Sequence, residues 1–345
     1  MTVASIRVAL DIGNSAVKAV AQSNNTNGSE SSSKQSASTI DPMPSLDPAT
    51  VKSFPIGSSD ADQSGRLGID VSGLLSWLAP LLGNNHPAEP ADLCFAVSTV
   101  NRSVSKPLRS QLESSLGSVR WHELSHSDIP LQIEVRYPDR VGVDRLLSAY
   151  AASAYAAINQ FNGGCVVVDA GSAVTIDLVT PTRRSDAAAK DDLPIFHGGA
   201  ILPGVRMQQA ALAGGTDNLP SIKAMDEQNR PNGSTNQAQP GGQVGNNTST
   251  IPTPPAKETE AAIRLGVLSA ITGAIEKLAD EYSRYAATLS TDADLNGKIA
   301  VVISGGDADL ISRHLRISHI VKHNLVCQGI LDLAGRECFG SASRV

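Results

Sequence analysis

Cysteine is scarce in this chain of 345 residues, and the four present, Cys94, Cys165, Cys327 and Cys338, are far apart, three of them in apolar runs. Neither a CxxC metal site nor a disulfide framework is expected from that spacing. An excess of positive charge is missing too. The 28 Lys and Arg against 34 Asp and Glu leave a formal charge of −6, without the basic footprint that a polyanion such as DNA or RNA requires. Nor is there an apolar run of the roughly 18 residues that would suggest a membrane span. Met1 to Leu10 carries one Arg and no long apolar stretch before Asp11, so no signal peptide is expected. The expectation is a cytoplasmic protein with no nucleic-acid and no membrane partner. What is there, 41% hydrophobic and 18% charged residues, is a globular composition, long enough for about two domains of ~150 residues.

Gln22 to Ser36 contains no large apolar residue, and Asp226 to Lys257 repeats that composition with added Pro and Gly. Both read as flexible insertions that cannot bury enough surface to offset ordering. Elsewhere short apolar runs alternate with helical patterns. Ile6 to Ile12, Cys165 to Ala170 and Ile299 to Ser304 are β-rich runs that end at Gly or Asp. Arg145 to Ile158 is rich in Ala and Leu without Gly or Pro, and Thr259 to Leu289 places Ile263, Val267, Ile271, Ala274 and Leu278 at helical spacing. The alternation implies an α/β fold with helices on a parallel or mixed sheet. ALDIGNSAVKAV (residues 9–20) also resembles VVDAGSAVTIDLV (167–179), which suggests two domains of related topology, each with a hairpin turn and an acidic residue at its mouth.

In DIGNSAVK the glycine turn lets backbone N–H groups converge, Asn14 and Ser15 add donors for phosphate oxygens, and Lys18 supplies counter-charge. Asp11 would then face Mg²⁺. From these residues alone an ordinary hairpin is equally well described. The second turn, Asp169 to Thr175, has no lysine, so it suits a cation or the far end of the phosphates; Asp169 closes an apolar strand, where a carboxylate is costly unless paired or metal-bound. A third turn, Ser304 to Asp307, could approach a nucleotide backbone or be plain turn chemistry. Asp144 and Arg145 precede a helix whose dipole favours an ionised Asp. That suits a proton acceptor, and Arg145 suits a carboxylate; a capping Asp beside a surface Arg fits equally. His197 reads as a satisfied structural imidazole.

Taken in order, DIGNSAVK, GVDR (142–145), DAGSAVTID, GGAILPG (198–204), LAGGTDNLP (212–220) and SGGD resemble the type III pantothenate kinase family over nearly the whole chain outside the two insertions. The resemblance implies two related actin-like (ribonuclease H-like) domains with mixed sheets flanked by helices, residues 1–140 and 141–345, and ATP-dependent phosphorylation of pantothenate, the first step of coenzyme A synthesis. It implies that Asp11, Ile12, Gly13, Asn14, Ser15, Ala16, Val17, Lys18 and Ser172 bind ATP, and that Gly142, Val143, Asp144, Arg145 and Thr216 bind pantothenate, with Asp144 taking its proton. It further implies Mg²⁺, a monovalent cation (K⁺ or NH₄⁺) at Asp169, and a homodimer with the acceptor pocket near the subunit interface. Two residues depart from the pattern: Ser172 stands where the family usually has Thr, and Glu258 precedes Thr259 where it often has Asn. Two other readings remain, a kinase of the same superfamily for a sugar or acetate, and a non-enzymatic transcriptional accessory factor.

Overall fold

The computed structural model describes residues 5–24, 50–57, 68–82, 93–117, 119–182, 193–216, 219–222, 254–289 and 298–335. Two sheets form its frame. In the first, β1 (Ser5–Ile12), β2 (Ala16–Asn24), β3 (Lys52–Pro55), β4 (Leu93–Thr99) and β5 (Arg120–Glu123) lie in the order β3-β2-β1-β4-β5. β1 runs antiparallel to β2 and parallel to β4, β2 is antiparallel to β3, and β4 is parallel to β5. The second sheet contains β6 (Gln132–Ile133), β7 (Cys165–Ala170), β8 (Ala173–Thr180), β9 (Ile195–Pro203), β10 (Ala300–Ser304) and β11 (Ile320–Val321), ordered β11-β10-β7-β8-β9-β6. With β6 set aside, it repeats the first sheet strand for strand and sense for sense, β7 taking the place of β1. The internal similarity of the two Asp-x-Gly segments is therefore a repeat of topology, the ribonuclease H-like unit used twice. β6 comes before residue 141 yet pairs with β9, so the first part of the chain also contributes to the second sheet.

The central strands are buried on both faces, which is why they read as apolar runs rather than alternating ones. Val8, Leu10 and Ile12 of β1, with Phe95 and Val97 of β4, pack against α1 (Val71–Leu82) and α2 (Arg102–Leu116). Val166, Val168 and Ala170 of β7 meet α5 (Thr259–Leu289) and α6 (Ala308–Ser312) on the corresponding face of the second sheet. The opposite faces share one core: Ala9 and Ala96 from the first sheet and Cys165, Val167 and Val302 from the second surround α3 (Val143–Ile158) and α7 (Leu325–Gly335). Those two helices thus lie between the sheets and pack on each other. The remaining helix, α4 (Val205–Gly214), packs on α5.

Four expected boundaries move, the first being β1, which starts at Ser5, one residue early. β2 continues to Asn24, because Gln22, Ser23 and Asn24 pair with Arg7, Ile6 and Ser5; cross-strand bonds order residues whose composition reads as a loop. Residues 25–36 of that insertion, 226–253 of the other, Asp217, Asn218 and Cys338 lie outside the described residues. α3 begins at Val143 with Gly142 as its N-cap, which puts Asp144 inside the first turn rather than ahead of the helix. β10 starts at Ala300, one residue late. α5 spans the expected Thr259–Leu289, and the carbonyl of Glu258 accepts the N–H of Ala262 at 2.8 Å as the helix starts.

Candidate active site

Strand alternation decides where the two turn carboxylates point. Ala9 and Val167 face the core between the sheets, so Asp11 and Asp169, two residues further along β1 and β7, face the same side at the strand ends. Lys18 is the cross-strand partner of Asp11, and Thr175 that of Asp169. A glycine N–H closes each hairpin, the second over one residue fewer: the N–H of Gly13 donates to the carbonyl of Ala16 at 3.0 Å, and that of Gly171 to the carbonyl of Ala173 at 2.9 Å. The tips meet, with the Ser15 and Ser172 hydroxyls 2.6 Å apart. The Ser172 hydroxyl is thus engaged at the meeting of the two turns.

Asp144 joins this cleft from α3. Burial pushes the Asp11 carboxyl up to about 7; Lys18 opposes the shift, while the charges of Asp144 and Asp169 add to it. Burial likewise raises Asp169, against Lys18 and a bond from the Ser148 hydroxyl at 3.3 Å. The lysine that the second turn lacks is thus supplied across the cleft by the first. For Asp144 the helix terminus favours the ionised form, as expected, and its Oδ1 accepts the N–H of Arg145 at 2.9 Å. Burial outweighs that bond, so the carboxyl rises from its ordinary value instead of staying low. Nor is Asp144 a helix cap, since Gly142 occupies that position.

Arg145 is engaged. Its Nε donates to Asp177 Oδ2 at 3.0 Å and its Nη2 to Oδ1, and the guanidinium lies 5.7 Å from the centre of the Phe196 ring. Desolvation alone would lower this guanidinium, but the bonds and charge of Asp177 raise it. A substrate carboxylate would have to meet the edge that Asp177 does not hold. Gly142 and Val143 form the entry to α3. Thr216 is exposed past the end of α4; its hydroxyl donates to the Leu212 carbonyl at 2.8 Å and, among the described residues, makes no bond to Asp144 or Arg145. A cavity of about 600 Å³ opens nearby between α4 and α5, lined by Pro203, Leu212, Leu219, Ile263 and Val267; it is apolar and contains none of the cleft carboxylates. The third turn supports the second: Gly305, at φ +99°, sits so close on the backbone of Ala170 that a side chain would collide, and the Asp307 N–H donates to the Ala170 carbonyl at 2.9 Å. His197 is a structural imidazole as expected, with Nε2 2.8 Å from Thr180 Oγ1.

Three contributors are given no role by the motifs. Asp177 closes DAGSAVTID and stands between Ile176 and Leu178 of β8, a signal that was visible in TIDLV. Ser148 lies one helical turn after Asp144 on α3, and α3 packs on β7. Ser98, beside Asp11 on β4, is fully buried and its hydroxyl has no hydrogen-bond partner among the described residues, a defect costing about 1–3 kcal/mol. Among the described residues no group of three or more His, Cys, Asp or Glu is arranged to hold a metal by itself. Half-buried carboxylates with too few protein ligands for a closed cage fit Mg²⁺, which keeps several waters and shares its shell with substrate phosphates.

Opposed hairpins of this kind, each with an Asp at its mouth and both opening on half-buried carboxylates, define the ATP-using kinases and ATPases of the actin-like class. Residues 7–281 match the family model described as type III pantothenate kinase. The type III pantothenate kinase of Rhodopirellula baltica is 30% identical over 337 residues, 96% of this chain and 100% of that protein. That of a Sulfurihydrogenibium species is 28% identical over 237 residues, 69% of this chain and 75% of that one. The chain belongs to the type III pantothenate kinase family, enzymes that phosphorylate pantothenate with ATP in coenzyme A biosynthesis. Among solved structures, a Baf family transcriptional activator from Campylobacter jejuni covers 94% of this chain and 96% of its own at 14% identity, with a TM-score of 0.44. At that score the likeness has no bearing on activity.

The raised Asp11 carboxyl makes stability depend on pH. An unfolded Asp releases its proton near 3.8 and the folded one keeps it to about 7, so Asp11's contribution falls as pH rises through that window. In chelator-treated, nucleotide-free buffer, urea midpoints should fall between pH ~5 and ~7.5 more steeply for the wild type than for Asp11→Asn. Equal slopes would place the Asp11 carboxylate in solvent.

Proposed function

We propose that the cleft between the two sheets transfers the γ-phosphoryl group of ATP to the primary hydroxyl of pantothenate, with Asp144 as the proton acceptor. The observation that carries this reading is the convergence of Asp144 with Asp11 and Asp169, each from a different element, on one poorly solvated site. The hydroxyl oxygen attacks phosphorus, its proton passes to an Asp144 carboxylate oxygen, and the bond to the ADP oxygen breaks. A carboxyl raised above its ordinary value is a stronger base than a free aspartate, and helix geometry holds it in place. Little covalent chemistry is asked of the protein beyond this. Phosphoryl transfer depends on positioning and on charge stabilisation.

Asp11 to Lys18 and Ser172 cradle the phosphates. The two turns supply backbone N–H groups, the Ser15 and Ser172 hydroxyls exchange their mutual bond for phosphate oxygens, and Lys18 provides the counter-charge. Mg²⁺ neutralises the transferring group when bound, and Asp11 is the carboxylate that would face it. Asp169 takes a monovalent cation, K⁺ or NH₄⁺, which would relieve the cost of its burial. Gly142, Val143 and Arg145 line the acceptor side, Arg145 meeting the carboxylate of pantothenate with its outer edge. Thr216 is exposed beside the apolar cavity between α4 and α5, as a residue completed by a second subunit would be. The enzyme works as a homodimer in the cytoplasm. No helix of the described residues is long and apolar enough to cross a membrane.

Coupled detection of ADP should give turnover with pantothenate and not with sugars or acetate; turnover with a sugar instead would favour the superfamily alternative, and none with any acceptor the regulator. Asp144→Asn should lose about 10² to 10⁴ in kcat while keeping ATP affinity. In the same assay the rate should be low in sodium and rise in potassium or ammonium, with Asp169→Asn blunting the rise. Near wild-type kcat for Asp144→Asn would remove it from the base role, and equal rates in sodium and potassium would remove Asp169 from the cation site.

A further inference from the structure

Both sheets carry the same polar row at the end of their central strands. Across β2, β1 and β4 the register aligns Lys18, Asp11 and Ser98; across β8, β7 and β10 it aligns Thr175, Asp169 and Ser304. The topological repeat thus pairs each cleft aspartate with a serine on the neighbouring parallel strand. Both serines lie on the side between the sheets, since Ala96 and Val302, two residues earlier, pack there while Val97 and Ile303 pack on the opposite faces.

The two serines differ in one respect. Ser304 is buried and its Oγ accepts the N–H of Leu325 at the start of α7, at 3.3 Å. Ser98 is equally buried, but among the described residues its Oγ has no partner. A hydroxyl in that state is destabilising, and a buried polar atom left unsatisfied beside a functional group calls for a partner that arrives later. No other part of the site uses it. Its neighbour along the row is the Asp11 carboxylate, and neighbouring parallel strands bring such side chains within hydrogen-bond reach after a rotation about χ1.

We propose that Ser98 is a positioning residue of the phosphoryl-transfer site: with Mg·ATP bound, its hydroxyl donates to the Asp11 carboxylate and holds that carboxylate toward the metal. The inference rests on the reading that Asp11 faces the metal of the nucleotide. It assigns Ser98 a task that a core serine would lack, and it places the destabilising hydroxyl in the free enzyme as the counterpart of a bond made in the complex. A hydrogen bond to an ionised acceptor is roughly twice as strong as a neutral one, so its loss should be readable in metal-dependent binding.

Ser98→Ala and Ser98→Thr test this on the full chain by three measurements. In nucleotide-free protein, Ser98→Ala should have a urea midpoint no lower than wild type, because the orphan hydroxyl is gone, whereas Ser98→Thr should have a lower one from its added methyl. Equilibrium titration with ATP should show wild type and Ser98→Thr binding more tightly with Mg²⁺ than without it, and Ser98→Ala losing about tenfold of that gain. Steady-state rates for Ser98→Ala should show about a tenfold lower kcat/KM for ATP with KM for pantothenate unchanged within about twofold. If Ser98→Ala keeps the full Mg²⁺-dependent gain, or loses stability and binding together, Ser98 is a packing residue and the proposal fails. Asp11→Asn separates the two levels: if it too keeps the full gain, the reading of Asp11 fails, whereas a gain lost in Asp11→Asn and retained in Ser98→Ala overturns only the role of Ser98.

Discussion

Carboxylates held away from water are what the rest of this architecture is arranged around. Asp11, Asp144 and Asp169 come from β1, α3 and β7, and for each the largest influence on its proton is loss of solvent. Lys18 offsets part of the cost for Asp11 and Asp169 from one position, and Ser148 adds a bond to Asp169. In the proposed reading, the negative charge that Lys18 leaves unbalanced would be offset by a cation and its nucleotide, and the partial burial of the cleft would keep competing water from the transferring phosphoryl group.

Two structural supports hold that cluster in place. α3 and α7 fill the space between the sheets, so Ala9, Ala96, Cys165, Val167, Ala300 and Val302 meet helix there, and the aspartates stand beyond them at the strand ends. Behind the second hairpin, Gly305 and Asp307 sit on the backbone of Ala170, which fixes the turn carrying Ser172. Arg145 is held differently. Its buried ion pair with Asp177 ties α3 to β8, and breaking one partner of such a pair costs about 3–5 kcal/mol because a charge is left behind. The helix that delivers Asp144 is therefore anchored one residue away from it.

Much of this was legible in the chain. IRVALDI and CVVVDA read as strands because both faces are buried, and the recurrence of Asp-x-Gly announced the repeated unit. The reach of Lys18 to Asp169 was not legible, because it depends on two hairpins whose tips, 157 residues apart, meet, and no local pattern encodes that approach. Gln22 to Asn24 read as loop by composition and pair as strand because β1 offers them partners. Asp144 looked like a carboxylate kept ionised by a helix dipole, and burial, which a sequence does not display, has the larger effect. Ser98 had no signal at all in CFAVST; only the register beside Asp11 and its missing partner set it apart.

The two halves share one charge cluster rather than each holding its own. A double-mutant cycle of Lys18→Ala and Asp169→Asn, read in kcat/KM for ATP, measures that sharing directly. If Lys18 of the first hairpin and the carboxylate of the second act in one site, the two effects should be non-additive by at least about 1 kcal/mol. Additivity within about 0.3 kcal/mol would mean that the hairpins work independently, and would contradict the shared cleft.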